Sequence, residues 1–233
     1  MTGHVSAEQS ASSQRLLALS GVAFAVLFLI GWFASGGDAP DYGASDQDWT
    51  TWADDNQWKS RIGAFAMLLA GFAFLHFAAT IRAALGDAEA RAGGSVQLAR
   101  VAFAGAITGI AGMVMAIVII SSATTEGADA NPVVTRAIAS SSAGPFLLAA
   151  MGFAALLLTA GLLTLRSGVF ARWTGVVVLI GAAGFLVAFA AVLSGLGEDS
   201  LFGFGFFPGV LALVVWSIAT SVARYRALGA PPS

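Results

Sequence analysis

The chain has 233 residues, of which 58% are apolar and only 10% are charged, and its mean hydropathy is +0.83. A soluble domain is about 45–50% apolar and about 25% charged, so this composition excludes an ordinary soluble protein and indicates an integral membrane protein. The absence of cysteine excludes disulfides, thiolate metal ligands and cysteine nucleophiles. A net charge of −2 gives no global attraction to nucleic acid, so no nucleic-acid partner is expected.

Six segments are long and apolar enough to cross a membrane, because a spanning helix needs about 20 residues at about 1.5 Å each. They cover residues 16–35, 62–81, 101–120, 145–165, 173–193 and 204–223, and none contains Asp, Glu, Lys or Arg. Backbone groups in lipid must be hydrogen-bonded internally, so each segment is expected to be a helix. The predicted fold is an all-α polytopic membrane protein with one six-helix domain at residues 16–223. A disordered cytoplasmic tail at 1–15 and a second tail at 224–233 flank it.

Charged residues in the connections set the expected orientation. Eight of the eleven basic residues flank one side, and by the positive-inside rule this side is cytoplasmic. Both termini are therefore expected in the cytoplasm of a bacterial cell, with the chain crossing the cell membrane several times. Arginine makes up ten of the eleven basic residues, which with the high Ala and Gly content is typical of a high-GC genome. The eight are Arg15, Arg82, Arg91, Arg100, Arg166, Arg172, Arg224 and Arg226, against Lys59, Arg61 and Arg136 on the outer side.

The first outer connection, residues 36–61, contains a helix signal. Ser45 and Asp48 form a capping-box pattern, and Trp49 and Trp52 then share one helical face. We expect a short helix lying on the outer leaflet. Its tryptophans either fix the bundle at the interface or belong to a lid or a docking site for an external partner that includes Asp54 and Asp55. Six acidic residues in this loop would favour a basic or cationic partner.

The other connections are shorter. Asn131 and Pro132 are typical of an N-cap and first helical residue, and predict a helix of one or two turns through Ala139. On the inner side the second helix is expected to continue to about Arg91, where two glycines at 93–94 end it. The inner loop at 167–172 is so short that the fourth and fifth spans are expected to form a tight antiparallel hairpin.

The spans also show an internal similarity. A shift of 81 residues aligns the second span with the fourth, and a shift of 72 aligns the third with the fifth. This predicts a parallel repeat of a two-helix hairpin, as found in some transporters, or else chance matches between segments rich in Ala, Gly and Phe. The matched residues are Gly63, Phe65, Gly71, Phe72 and Ala73 with Gly144, Phe146, Gly152, Phe153 and Ala154, and Arg100, Gly109, Ala111, Gly112 and Ala116 with Arg172, Gly181, Ala183, Gly184 and Ala188.

His76 is the one ionisable side chain well inside a predicted span. Ionisable groups inside a membrane are uncommon and often functional, so His76 is a candidate ligand or proton contact. A neutral histidine also bonds helix carbonyls and hydroxyls, and a packing role is the alternative. No carboxylate stands in any span to partner it, which disfavours a metal site and proton-coupled transport. No metal ligand, cofactor or catalytic residue is predicted.

Small residues form stripes on two spans. Such residues let helix backbones approach closely, so these stripes are expected to pack helices within the bundle, with homodimerisation as the alternative. Hydroxyl side chains in the spans are expected to bond their own helix backbone. The stripes are Gly105, Gly109 and Gly112 in the third span and Gly181 and Gly184 in the fifth; the hydroxyl residues are Thr108, Thr159, Ser217 and Thr220.

Three stretches carry a resemblance to a known group. They are the Trp-containing acidic run at 48–52, the end of the second span at 75–82 around His76, and the run Gly-Phe-Phe-Pro-Gly at 205–209. Their order resembles that of uncharacterised six-span membrane proteins of high-GC bacteria, a group defined by a domain of unknown function. The resemblance covers most of the chain and implies no active site.

Two function classes remain. The lack of charged groups in the spans and of any catalytic set predicts a non-catalytic accessory or structural membrane protein, with membrane lipids and a protein partner or second copy around it. The alternative is a transporter or lipid-handling protein for a small apolar or weakly polar molecule. It is suggested by the repeat, His76 and an aromatic mouth at 201–209. An enzyme is not expected, because hydrolysis and group transfer need a positioned acid, base or metal.

Overall fold

The computed structural model describes residues 14–15, 17–35, 39–126, 131–193 and 201–228, and this part of the chain is helical without a strand. The predicted all-α fold class is confirmed. The helices are α1 (Ser20–Ser35), α2 (Asp46–Arg91), α3 (Gln97–Glu126), α4 (Pro132–Ser140), α5 (Ala143–Ser167), α6 (Arg172–Ala190) and α7 (Leu201–Ala227), and a 3₁₀ turn at Ala191–Leu193 follows α6. The two predicted tails lie largely outside the described residues, although α7 continues through Ala227, past the start of the second.

Five helical segments are long and apolar enough to cross a membrane: Asp46–Arg91, Gln97–Thr124, Pro132–Ser167, Arg172–Leu193 and Leu201–Ala227. The first predicted span corresponds to α1, a shorter apolar helix of 16 residues. At about 1.5 Å per residue α1 is about 24 Å long, a little less than a hydrocarbon core of about 30 Å. The protein is therefore a polytopic membrane protein built from five long apolar helices and one shorter one.

Six of the helices are arranged as a closed ring. Each of α1, α2, α3, α5, α6 and α7 packs against the next in that order, and α7 returns to contact α1. The short helix α4 lies against both α2 and α3. Helices joined by short connections pack as antiparallel neighbours, which is why the ring follows the chain. The core of buried side chains therefore lies along the axis of this ring.

The predicted short helix on the outer leaflet is wrong as a separate element. Its capping box is present, because the Ser45 side chain accepts from the Asp48 amide and the Asp48 side chain accepts from the Ser45 amide. The helix that begins there does not stop, and α2 runs without a break for 46 residues, about 69 Å. Residues 53–61 contain neither Gly nor Pro, so nothing in the sequence ends the helix before the apolar run begins.

The remaining connections follow the sequence signals. The Asn131 side chain accepts a hydrogen bond from the Val133 amide at 3.0 Å and caps α4, as predicted. α2 ends at Arg91, and Gly93 after it adopts a φ of +77°. Gly168 ends α5 with a φ of +67° and lets the chain enter α6 within a few residues. Both glycines stand where a left-handed backbone is needed, which other residues rarely adopt.

The predicted repeat receives unequal support. Between α3 and α6 the matched residues have matching environments: Ala116 and Ala188 are both buried, and Ala111 and Ala183 are both exposed. Between α2 and α5 they do not. Phe72 is 64% exposed, whereas its partner Phe153 is fully buried. A common ancestor of the two hairpins therefore stays a prediction, and the shift of 81 residues does not superpose equivalent faces.

Candidate functional site

Aromatic side chains fill the axis of the ring. Phe74 of α2 lies 4.5 Å from Phe24 and 5.8 Å from Phe153, measured between ring centroids. Phe153 continues to Phe185 at 5.5 Å, and Phe185 to Phe206 at 5.6 Å. Trp32, Phe28 and Phe24 of α1 connect Phe206 back to Phe74, so these ring contacts form a closed loop. The network extends from this loop to both ends of the bundle. Further members are Phe77, Phe146, Phe202 and Trp216.

The rings of this network are nearly all excluded from the surface, and Phe24, Phe28, Phe74, Phe153 and Phe185 are fully buried. Offset and edge-to-face pairs contribute about 0.5–1.5 kcal/mol each beyond their burial. Because the pairs connect five different helices, the network ties the ring together across its centre. The axis is thus closed by interlocking rings rather than lined by polar groups.

The two glycine stripes lie in helix–helix interfaces within the ring. A Cβ atom on Gly105 would lie 2.6 Å from the carbonyl oxygen of Gly152, and one on Gly112 would lie 2.7 Å from the Ala149 amide, so α3 touches α5 backbone to backbone. A Cβ on Gly184 would lie 2.7 Å from the carbonyl oxygen of Gly205. Gly109 faces the ring of Phe153, and Gly181 faces α5 and α7.

The predicted outer interaction residues separate into two pairs. Trp49 and Trp52 are buried, at 2% and 8% exposure, with their rings edge to face at 5.8 Å. Asp54 and Asp55 lie on the opposite, exposed face of α2. The burial of both indoles favours the interpretation in which they fix the outer end of the bundle. The two carboxylates remain free for an external contact.

Polar contacts hold the outer connections in place. Arg136 of α4 forms an ion pair with Asp46 at the start of α2, at 3.1 Å. The Tyr42 hydroxyl lies 2.9 Å from the hydroxyl of Ser142, between α4 and α5. Burial raises the pKa of Tyr42, and the hydrogen bond to Ser142 offsets part of that rise. These contacts join the first and second outer connections, which sequence reasoning treated separately.

His76 is exposed on the outer surface of α2, away from the axis. Its ring meets Phe72 edge to face at 4.9 Å, and Phe72 is itself exposed. Beside them an apolar groove of about 470 Å³ runs between α2 and α3, lined by side chains such as Leu75, Ile110 and Val114. This surface faces outward from the bundle. The structure therefore does not bring His76 to any of the other predicted site residues.

Three of the four predicted hydroxyl residues bond their own helix backbone, whereas the buried hydroxyls of Thr164 and Ser221 have no hydrogen-bond partner among the described residues. Thr159 donates to the Ala155 carbonyl at 2.7 Å, Ser217 to that of Val214 at 2.9 Å and Thr220 to that of Trp216 at 2.7 Å. Such bonds satisfy the hydroxyl within its own helix and leave it unavailable to a ligand. In the described part of the chain no three His, Asp or Glu side chains lie close enough together to hold a metal ion.

Glu89 is a structural carboxylate that sequence reasoning missed. It is 6% exposed, and its two oxygens accept from the amides of Leu98 and Ala99 at 3.2 and 3.0 Å. These are among the first amides of α3, which have no partner within their own helix. Glu89 thus caps α3 from the end of α2. The signal that could have found it is an acidic residue four positions before a Gly-Gly turn that leads into a helix.

A helical ring with an apolar outer surface, an aromatic axis and charged groups at its two ends defines a polytopic α-helical membrane protein. Within that class, the chain belongs to the family of the domain of unknown function DUF4386, which it matches over residues 19–221. No curated protein and no solved structure matches the chain. The family match covers most or all of each of the six predicted spans and confirms the resemblance to a domain-of-unknown-function group.

Proposed function

We propose that this protein is a non-catalytic accessory or structural membrane protein. The observation that carries the proposal is the aromatic network on the axis of the ring. A protein that moves a solute needs a cavity reached from one side or the other, with a few placed polar groups. Here the corresponding volume is filled by phenylalanine and tryptophan rings, and the hydroxyls of Thr159, Ser217 and Thr220 bond their own helices.

The position of His76 counts against the transport alternative. That hypothesis requires a cavity that reaches His76 between the helices, whereas its side chain lies on the exposed outer surface of α2. The aromatic mouth that supported the same hypothesis is an uninterrupted helix, because α7 runs from Leu201 through Pro208. Phe206 points into the core, while Phe204 and Phe207 are exposed towards lipid. Neither feature provides a binding site between the helices.

We further propose that the protein lies in a bacterial cell membrane with both termini in the cytoplasm. The arginine-rich connections support this orientation by the positive-inside rule. The two ends of the described chain also lie together, since the Arg15 guanidinium donates to the Leu228 carbonyl at 3.0 Å. Asp54 and Asp55 would then face the outside, where they could contact a cationic partner.

The absence of cysteine allows a direct test of the closed axis. Ala70→Cys and Ala150→Cys place single thiols at fully buried positions one turn from Phe74, Phe146 and Phe153. A membrane-impermeant maleimide added from either side should label neither, whereas Asp54→Cys, at an exposed site, should react fully. Rapid labelling of both axial thiols in the folded protein would show a water-filled passage and overturn the proposal.

A second experiment tests for a partner. A photo-crosslinker, benzophenone maleimide, is attached in native membranes to single cysteines at exposed apolar positions on three different helices. These positions are Leu69, Ile180 and Leu211. An accessory protein should yield an adduct of one defined protein mass from one helix face and not from the others. The buried Ala150→Cys variant is the matched control. Adducts with lipid alone at every position would contradict an accessory role.

A further inference from the structure

Two clefts meet at the inner end of the bundle. One, of about 440 Å³, lies between the end of α2 and the turn from α5 to α6, and Arg91 and Arg166 line it. The other, of about 330 Å³, lies between the same turn and the end of α7, and Arg91 and Arg224 line it. They share Arg91 and Val169, so we treat them as one inner cleft. Each volume falls within the range of about 300–1,000 Å³ typical of ligand pockets.

The charge of the inner cleft is unbalanced. Three guanidinium groups face a single carboxylate, Asp87. Among the residues that the structure describes, none of the three guanidinium groups lies within 4 Å of a carboxylate oxygen. The ion pair between Arg136 and Asp46 is at the other end of the bundle. Like charges held in one cleft repel one another, and an anion bound between them would relieve that repulsion.

Arg224 carries the most direct sign of a missing acceptor. Its Nε atom is buried and has no hydrogen-bond partner in the described part of the protein. A buried donor without an acceptor costs about 1–3 kcal/mol, and more for a charged group. Arginines at helix C-termini also complement the helix dipole, but that long-range effect does not need a buried Nε–H. The Nε–H itself is covered, so a ligand in the cleft would meet the rest of the half-buried Arg224 side chain, whose guanidinium group is short of acceptors.

The position of the cleft indicates the chemical class of its ligand. Arg166 and Arg224 are the first charged residues after the apolar runs of α5 and α7, so they lie where the hydrocarbon region ends and lipid headgroups begin. Guanidinium groups bind phosphate oxygens through paired N–H donors. We propose that the inner cleft binds the phosphate of an anionic phospholipid, held by Arg91, Arg166 and Arg224. This proposal is independent of the accessory role and of which side of the membrane the cleft faces.

Native mass spectrometry of the purified full-length protein tests the proposal with three probes: phosphatidylglycerol, phosphatidylcholine and inorganic phosphate. The protein should bind phosphatidylglycerol at least fivefold more tightly than phosphatidylcholine, and inorganic phosphate should not displace it at equal concentration. Arg224→Gln should weaken phosphatidylglycerol binding at least fivefold. The matched control is Arg226→Gln on the same helix, which lies outside the cleft and should change binding less than twofold.

A gain of binding separates recognition from misfolding. Asp87→Asn removes the carboxylate that competes with the ligand, and it should tighten phosphatidylglycerol binding about fivefold, in line with about 1 kcal/mol per charge near a membrane surface. A loss of folding cannot mimic this result. Equal binding of the two lipids, or equal losses in Arg224→Gln and Arg226→Gln, would overturn the proposal. Tight binding of inorganic phosphate without phosphatidylglycerol would assign the cleft to a free anion and also refute the lipid.

Discussion

Because α3 touches α5 at Gly105 but nothing touches Gly144, we expect the substitution Gly→Ala to have different effects on stability at these two positions. Gly105→Ala adds a methyl group 2.6 Å from the Gly152 carbonyl oxygen and 2.8 Å from the Leu156 amide nitrogen. Gly144→Ala adds the same group in the first turn of α5, where nothing lies within 4 Å. Both changes also replace the residue with the lowest helix propensity after proline.

The expected loss of stability in Gly105→Ala follows from these distances. Ordinary contact begins near 3.4 Å, so the Cβ of Gly105→Ala forces the two backbones apart by about 0.8 Å. Overpacking a tight interface costs about 1–3 kcal/mol, and neither backbone can move away as a flexible side chain would. The gain in helix propensity is at most about 1 kcal/mol and applies to both variants. Gly144→Ala should therefore be neutral or slightly stabilising, and Gly105→Ala should be less stable than it by about 1–3 kcal/mol.

Unfolding in mixed micelles measures this difference, with the fluorescence of the six tryptophans as the signal. The unfolding midpoint of Gly105→Ala should move to lower denaturant, while that of Gly144→Ala stays or rises. If the two midpoints moved together, the stripe would not be a backbone contact within the bundle. A change in oligomeric mass of Gly105→Ala without a change in its midpoint would instead support the homodimerisation alternative.

The same unfolding assay checks three further predictions. Glu89→Ala should lose about 1–2 kcal/mol, because two amides at the start of α3 lose their acceptor, and Glu89→Gln should retain part of that stability. Hydrogen bonds from Ser45 hold the pKa of Asp48 below its ordinary value in the folded protein. Their stabilisation is complete above the unfolded pKa of about 4 and is lost as the pH falls through the lower folded value, so Ser45→Ala should flatten the acid side of the stability profile. His76→Leu should change stability by less than about 0.5 kcal/mol, whereas Phe74→Ala, two residues away but on the axis, should lose about 3–5 kcal/mol.

Local signals predicted the elements well. The apolar runs located the spans, Asn131 placed the start of α4, and the two glycines after Arg91 marked the end of α2. The capping box marked the first turn of α2 but not its length. A change from a polar to an apolar run shows where a helix enters lipid, and it does not show that the helix has ended.

Which face of each span lies inside could not be predicted from hydrophobicity. In water the buried face is apolar and the other is polar, but in lipid both are apolar, so the pattern carries little signal. His76 and Phe77 are neighbours in the sequence, yet one faces lipid and the other the axis. Glu89 was missed for a related reason, since its contacts lie across a turn, nine and ten residues away.

What distinguishes the inside of this bundle is the shape of its side chains. Helices in lipid associate through close packing, so small residues lie where backbones touch and large rings fill the space that the ring of helices leaves at its centre. Glycines of α3 accordingly meet α5 backbone to backbone, while Phe74 and Phe153 meet across the axis. An axis filled in this way leaves recognition to the outer faces of the helices and to the two ends of the bundle, where the chain carries its charges. The exposed carboxylates of α2 at one end and the arginine-lined cleft at the other are the charged surfaces on which function can be tested.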